Sequence, residues 1–223
     1  MSAQRPSRGE RSFDAILFDN DGVLVDTEGL YFQATREVLA GVGVALGDAD
    51  YVELFLRQGV GAWHLAAARG HPPASIEAMR AARDHRYLQL LDVAEVLIPG
   101  VADLVTALAR RYRLAIVSSS EAEPFARIHA RTGLLGHFEL VLTRSDYLNA
   151  KPAPEPYQRA VERMGLAPER CLVIEDSERG LIAAKAAGLT CWIVPSGLTS
   201  DGHFDAADEI FANLAAASAR LLR

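Results

Sequence analysis

Lysine is nearly missing from this chain. The 223 residues carry 23 Lys plus Arg, yet only Lys151 and Lys185 are lysine. Arginine serves by default wherever a cation suffices, so a lysine that persists is a candidate for work that needs a compact ammonium. Cysteine is scarce as well. Cys171 and Cys191 stand at or near the starts of two apolar runs. They exclude a disulfide framework and a CxxC-type zinc site, and read as buried thiols in a reducing compartment. No apolar run approaches the roughly 20 residues that span a bilayer. The opening "MSAQRPSRGERS" has no apolar h-region, so 1–12 reads as a disordered polar tail. A cytoplasmic protein without a membrane partner is the expectation. A net positive charge is also absent: the formal charge is −6, which argues against a nucleic-acid surface.

What remains is an ordinary globular composition, 50% hydrophobic and 23% charged. The length fits one large α/β domain or a core with a smaller insert. Short apolar runs at Ala15–Phe18, Leu114–Val117, Leu140–Leu142, Leu172–Ile174 and Trp192–Val194 read as buried parallel strands. Between them, Gly100–Tyr112, Pro154–Gly165 and Ser177–Gly188 have helical spacing, with Ser177 as an N-cap and Gly165 and Gly188 as stops. An Ala-rich helix, Asn213–Leu222, closes the chain. Strands alternating with helices predict a doubly wound, Rossmann-like parallel sheet. From Glu28 to Glu95 three helical patterns, the second of them Tyr51–Gly70, follow one another without a strand. The expected organisation is therefore an α/β core of 13–27 plus 96–223, with an all-helical cap, 28–95, inserted after the first strand.

Ligands of such sheets sit outside the carboxyl ends of the strands. Asp19 and Asp21 follow the first strand, Ser118, Ser119 and Ser120 the second, Lys151 the third, and Glu175 and Asp176 the fourth. Each group is ordinary alone: a capped turn, a polar loop, a solvated lysine, an acidic helix start. In this order, each behind an apolar strand, they point to one site. Carboxylates from two strands make a hard, all-oxygen site suited to Mg²⁺. Lys151 and Ser118 are donors in want of an anion, and a phosphoryl group would supply one. Asp19 and Asp21 are two apart at a strand end and project to roughly the same side. One can attack phosphorus while the other serves the leaving-group oxygen. Gly22 lets the chain turn sharply behind them.

These residues carry a family resemblance. "DNDGVLVDTE", "IVSSS", "KPAPEPY" and "VIEDSERGLIAAKAAG" resemble, in order, the four motifs of the haloacid dehalogenase superfamily, in the group with a helical cap inserted after the first motif. The resemblance implies that Asp19 is the nucleophile forming an aspartyl-phosphate and that Asp21 is the general acid and then the base. It implies Mg²⁺ held by Asp19, the Asp21 carbonyl and Asp176, with Glu175 beside it or behind. Ser118 and Lys151 would hold phosphoryl oxygens, and Ser119 would add a backbone N–H. The dehalogenases that name the superfamily lack a residue like Asp21, and related phosphonate hydrolases carry a cap lysine that 28–95 does not have. β-Phosphoglucomutases share all four motifs but carry a cap His where Tyr31 stands and a cap Arg near Ala62.

The resemblance therefore implies a Mg²⁺-dependent phosphatase of small phosphorylated metabolites, sugar phosphates above all. A phosphosugar mutase and a non-catalytic binding protein of the same fold are the alternatives. A monomer or weak homodimer is expected. The cap loop around Gln58, Gly59, Gly61, Trp63 and His64 is the candidate surface for the leaving group, with Gln58 and Trp63 as substrate contacts.

Overall fold

A computed structural model describes residues 13–223; the expected tail, 1–12, lies outside them. Strand β1 (Ala15–Phe18) is entirely buried, as a strand covered on both faces must be. It is followed by helices α1 (Glu28–Ala40), α2 (Asp48–Tyr51), a π-helical turn (Val52–Arg57), α3 (Trp63–Ala67) and α4 (Pro73–Val93). The sheet then resumes: α5 (Val101–Ala109), β2 (Arg113–Val117), α6 (Ala122–His129), β3 (Leu140–Leu142), α7 (Glu155–Met164), β4 (Cys171–Glu175), α8 (Glu178–Ala186), β5 (Thr190–Ile193), β6 (Glu209–Ile210) and α9 (Leu214–Leu221).

All strand pairs are parallel, in the order β3-β2-β1-β4-β5-β6. This doubly wound sheet places β1 at the centre, between β2 and β4. Alternate side chains feed two cores. Ile16, Phe18, Leu114, Ile116 and Ile174 pack with α5, α6 and α9; Ala15, Leu17, Val117, Val173 and Ile193 pack with α7 and α8. Cys171 and Cys191 are free thiols in the second core.

The helices between β1 and α5 have a third core of their own, built on Phe32, Leu39, Tyr51, Trp63 and Met79. Entry to and exit from this insertion run side by side: Asp26 N donates to Val96 O (2.8 Å) and Ile98 N to Leu24 O (3.2 Å). Two expectations need correction. The stretch Tyr51–Gly70 is not one helix. It breaks at Gly59 and Gly61, whose φ angles of 68° and 70° a helix cannot contain. A sixth strand, β6, is present; both of its residues are exposed, so no apolar run announces it.

Candidate active site

Because β1 and β4 are neighbours in register, Asp19 is hydrogen-bonded into the sheet just past the strand: its N–H donates to Ile174 O at 2.9 Å. The chain then turns. Asn20 O accepts from Leu24 N (2.9 Å) and Val25 N (3.1 Å), and Gly22 adopts φ 80°. A Cβ on Gly22 would lie 2.0 Å from the Asp176 carboxylate, so glycine is required here by space as well as by torsion.

Lys151 is buried beneath this turn. Its Nζ donates to Asp19 Oδ1 (2.6 Å), Glu175 Oε1 (2.7 Å) and Val117 O (2.9 Å). Three acceptors converge on one compact ammonium, a geometry that the planar fork of arginine does not match. Glu175 is fully buried. Its Oε1 accepts from Lys151 and the Tyr157 hydroxyl (2.8 Å), and its Oε2 from Asp176 N (3.1 Å), Ser177 N (3.2 Å) and Ser177 Oγ (3.0 Å). Ser177 also caps α8, accepting from Gly180 N. Asp176 Oδ2 accepts from Thr199 Oγ1 (3.1 Å) and Ser196 Oγ (3.3 Å). Carboxylate oxygens of Asp19, Glu175 and Asp176 lie within 4.8 Å of one another. Asp21 stands apart from that trio. It accepts from Thr27 Oγ1, from Ser120 Oγ (3.0 Å) and from Asn20 Nδ2 (3.3 Å).

Crowding of buried carboxylates around one cation sets the electrostatics. Burial, with help from Glu175 and Asp21, outweighs Lys151 and pushes the Asp19 carboxyl up to about 8. Burial, reinforced by Glu175 and Asp19, also pushes Asp176 well above the carboxylate range. Glu175 goes the other way: the Lys151 charge and three hydrogen bonds outweigh its burial. For Lys151, burial opposes the charge, but the two carboxylates hold the ammonium well above its ordinary value.

Between the strand ends and the helical insertion lies a cleft of about 1190 Å³. Asp19, Asp21, Lys151, Asp176 and Ser119 line it from one side, and Tyr31, Phe55, Trp63, Arg80 and Arg83 from the other. Ser118 is fully buried behind the wall; its Oγ accepts from Ser120 N (3.0 Å) and its carbonyl from the Tyr147 hydroxyl (2.8 Å). Trp63 does line the cleft, but only 4% of its surface is exposed, and the Arg80 and Arg83 guanidinium groups lie 5.3 and 5.5 Å from its ring centroid. Gln58 is not part of the cleft wall: it is exposed and donates to Glu53 at 2.7 Å.

Sequence reasoning passed over Ser120, which touches Asp21, and Arg179, which lines the cleft and donates to Lys151 O. Ser120 belonged to a serine triplet that the sequence did rank as a strand end. Arg179 had no signal, being one of 21 arginines.

Comparison with known proteins identifies the family. A family model described as haloacid dehalogenase-like hydrolase matches residues 13–188. The chain is 35% identical to the protein CbbY of Rhodobacter capsulatus over 93% of this chain and 96% of that one. It is 30% identical to the fructose-1-phosphate phosphatase YqaB of Escherichia coli over 79% of this chain and 94% of that one. The crystal structure of CbbY from Rhodobacter sphaeroides in complex with phosphate superposes with a TM-score of 0.76 at 30% identity, covering 91% of this chain and 95% of the other. With these four strand ends and this helical insertion, the chain belongs to the haloacid dehalogenase-like hydrolases.

Proposed function

We propose that this protein is a phosphatase of small phosphorylated carbohydrates, working through an aspartyl-phosphate on Asp19. The observation that carries the reading is the placement of Asp19 and Asp21 on one cleft wall, with Lys151 locked between Asp19 and Glu175. In the first step an Asp19 oxygen attacks phosphorus and the bond to the leaving oxygen breaks. Asp21, as the acid, gives its proton to that oxygen. In the second step Asp21, now the base, takes a proton from water as the water oxygen attacks phosphorus. The bond to Asp19 breaks, releasing phosphate and restoring the carboxylate. Ser119 lines the cleft as a donor for the phosphoryl oxygens, and the Lys151 ammonium, its three N–H groups held by Asp19, Glu175 and Val117 O, supplies positive charge beside them; Ser118, expected as a second donor, is fully buried behind the wall.

The donor set fits Mg²⁺. Asp19 and Asp176 are buried carboxylates, of which Lys151 pairs with Asp19 alone, and their oxygens are close enough to share a cation. Asp19, Asp176 and the Asp21 carbonyl would hold the ion, and Mg²⁺ would supply neutralisation of charge on the phosphoryl group. Glu175 is better suited to holding Lys151, since both its oxygens already accept from protein donors. The insertion wall supports hydrolysis over a mutase: Tyr31 is hydrogen-bonded by Arg83, and Ala62 is a fully buried apolar residue.

The test is release of inorganic phosphate from a panel of sugar phosphates and from p-nitrophenyl phosphate. Asp19→Asn should lower turnover at least 10³-fold with the fold retained, and EDTA should stop the wild type until Mg²⁺ is restored. Turnover by Asp19→Asn near the wild-type rate would remove Asp19 as nucleophile.

A further inference from the structure

Behind Asp21 runs a buried polar chain that the reaction as written does not use. Asn20 sits between the two aspartates, just past β1, and its side chain reaches both Asp21 and His129 of α6. It is fully buried. Its Oδ1 meets His129 Nε2 at 2.8 Å, and its Nδ2 donates to Asp21 Oδ2 at 3.3 Å. His129, the last residue of α6, is 5% exposed, and its Nδ1 lies 3.0 Å from Thr132 Oγ1.

The directions of these bonds are fixed by chemistry. In its ionised form the Asp21 carboxylate can only accept, so the Asn20 NH₂ faces it and the Asn20 carbonyl faces His129. That carbonyl can only accept, so Nε2 carries the imidazole proton. Burial holds the ring neutral, with its pKa down at about 4. A neutral imidazole with one N–H suits this place, whereas a leucine there would leave the Asn20 carbonyl buried without that donor.

We propose that His129 is a positioning residue: acting through Asn20, it sets the orientation of the Asp21 carboxylate towards the leaving-group oxygen. This rests on Asp21 being the proton donor and acceptor of the proposed phosphatase. His129 is buried and does not line the cleft. Its side chain fixes which way the Asn20 amide points, and the amide fixes one edge of Asp21. The opposite edge is held by Thr27, and Ser120 shares the Asn20 edge.

The experiment uses two substrates that differ in their need for an acid. p-Nitrophenolate leaves without a proton, whereas the alkoxide of fructose 1-phosphate does not. Values of kcat/KM, which report the first chemical step, are compared for wild type, His129→Phe, His129→Gln and Asn20→Leu. His129→Phe should lower kcat/KM for fructose 1-phosphate about 10-fold while that for p-nitrophenyl phosphate stays within twofold. His129→Gln, whose amide can still donate to Asn20, should recover most of the loss. Asn20→Leu should reproduce the same selective loss, and the double variant should add nothing to it. Equal losses on both substrates, or no loss on either, would overturn the proposal. Asn20→Leu cuts the chain from the other end should His129→Phe fail to fold. Failure of the phosphatase reading looks different, because the wild type itself would then hydrolyse neither substrate.

Discussion

The strand ends and the helical insertion wall the same cleft, yet they are held together differently. At the strand ends the ionisable groups are buried and interlocked: Lys151, Glu175, Asp176 and Asp19 are each less than a tenth exposed. On the insertion side, the cleft-lining Arg80 and Arg83 lie over aromatic rings, and Arg83 is buried as well. Arg83 lies 4.4 Å from the Tyr31 ring centroid and 5.5 Å from that of Trp63, and Arg80 lies over Trp63. A rigid network suits groups whose geometry decides a chemical step. Long arginines over flat rings suit a wall that can accept leaving groups of different shapes. Changes at the strand ends should therefore appear in stability and kcat, and changes in the insertion mainly in KM.

The sharpest break should come at Lys151. Lys151→Met leaves Asp19 and Glu175 buried without their cation, which should cost about 3–5 kcal/mol in urea unfolding and abolish turnover. A stability loss below 1 kcal/mol would mean that the network is not what holds these strand ends. Next is Gly180→Ala. A Cβ there would fall 1.8 Å from the Glu175 carboxyl, so Glu175 and with it Lys151 must move. Overpacking of this kind costs about 1–3 kcal/mol, and kcat should fall more than KM rises. In the insertion, Arg83→Met removes a guanidinium from two aromatic faces and from the Tyr31 hydroxyl. It should cost about 1–2 kcal/mol, with KM for sugar phosphates changing more than kcat. The smallest effect belongs to Gln58→Ala. Its partner is an exposed glutamate outside the cleft, so stability should move by less than about 0.5 kcal/mol and kcat/KM by less than twofold. A large rise in KM for Gln58→Ala would return Gln58 to the substrate surface and blur the contrast.

Much of the core was legible because its signals are local. β1 and β3 begin and end where their apolar runs do, and β2, β4 and β5 differ from theirs by one or two residues. Buried strands need continuous apolar residues, and ligand-bearing turns need polar ones, so both features are written side by side in the chain. The insertion was harder to read. Its helical periodicity continues through Gly59 and Gly61, and only their left-handed backbone shows that the segment is broken. The cleft face of Trp63 and the outward face of Gln58 depend on how that broken segment packs, which no spacing encodes.

The sequence by itself determined the order of chemical groups. It placed two aspartates, a serine cluster, a solitary lysine and an acidic pair behind successive strands of a parallel sheet, because strand alternation and apolar burial act over a few residues. Only the tertiary structure decided their partners. Lys151 meets Asp19 across 132 positions, and His129 meets Asn20 across 109. Such contacts exist because β1 is inserted between β2 and β4, and strand order is a property of the whole packed sheet, not of any one stretch of chain.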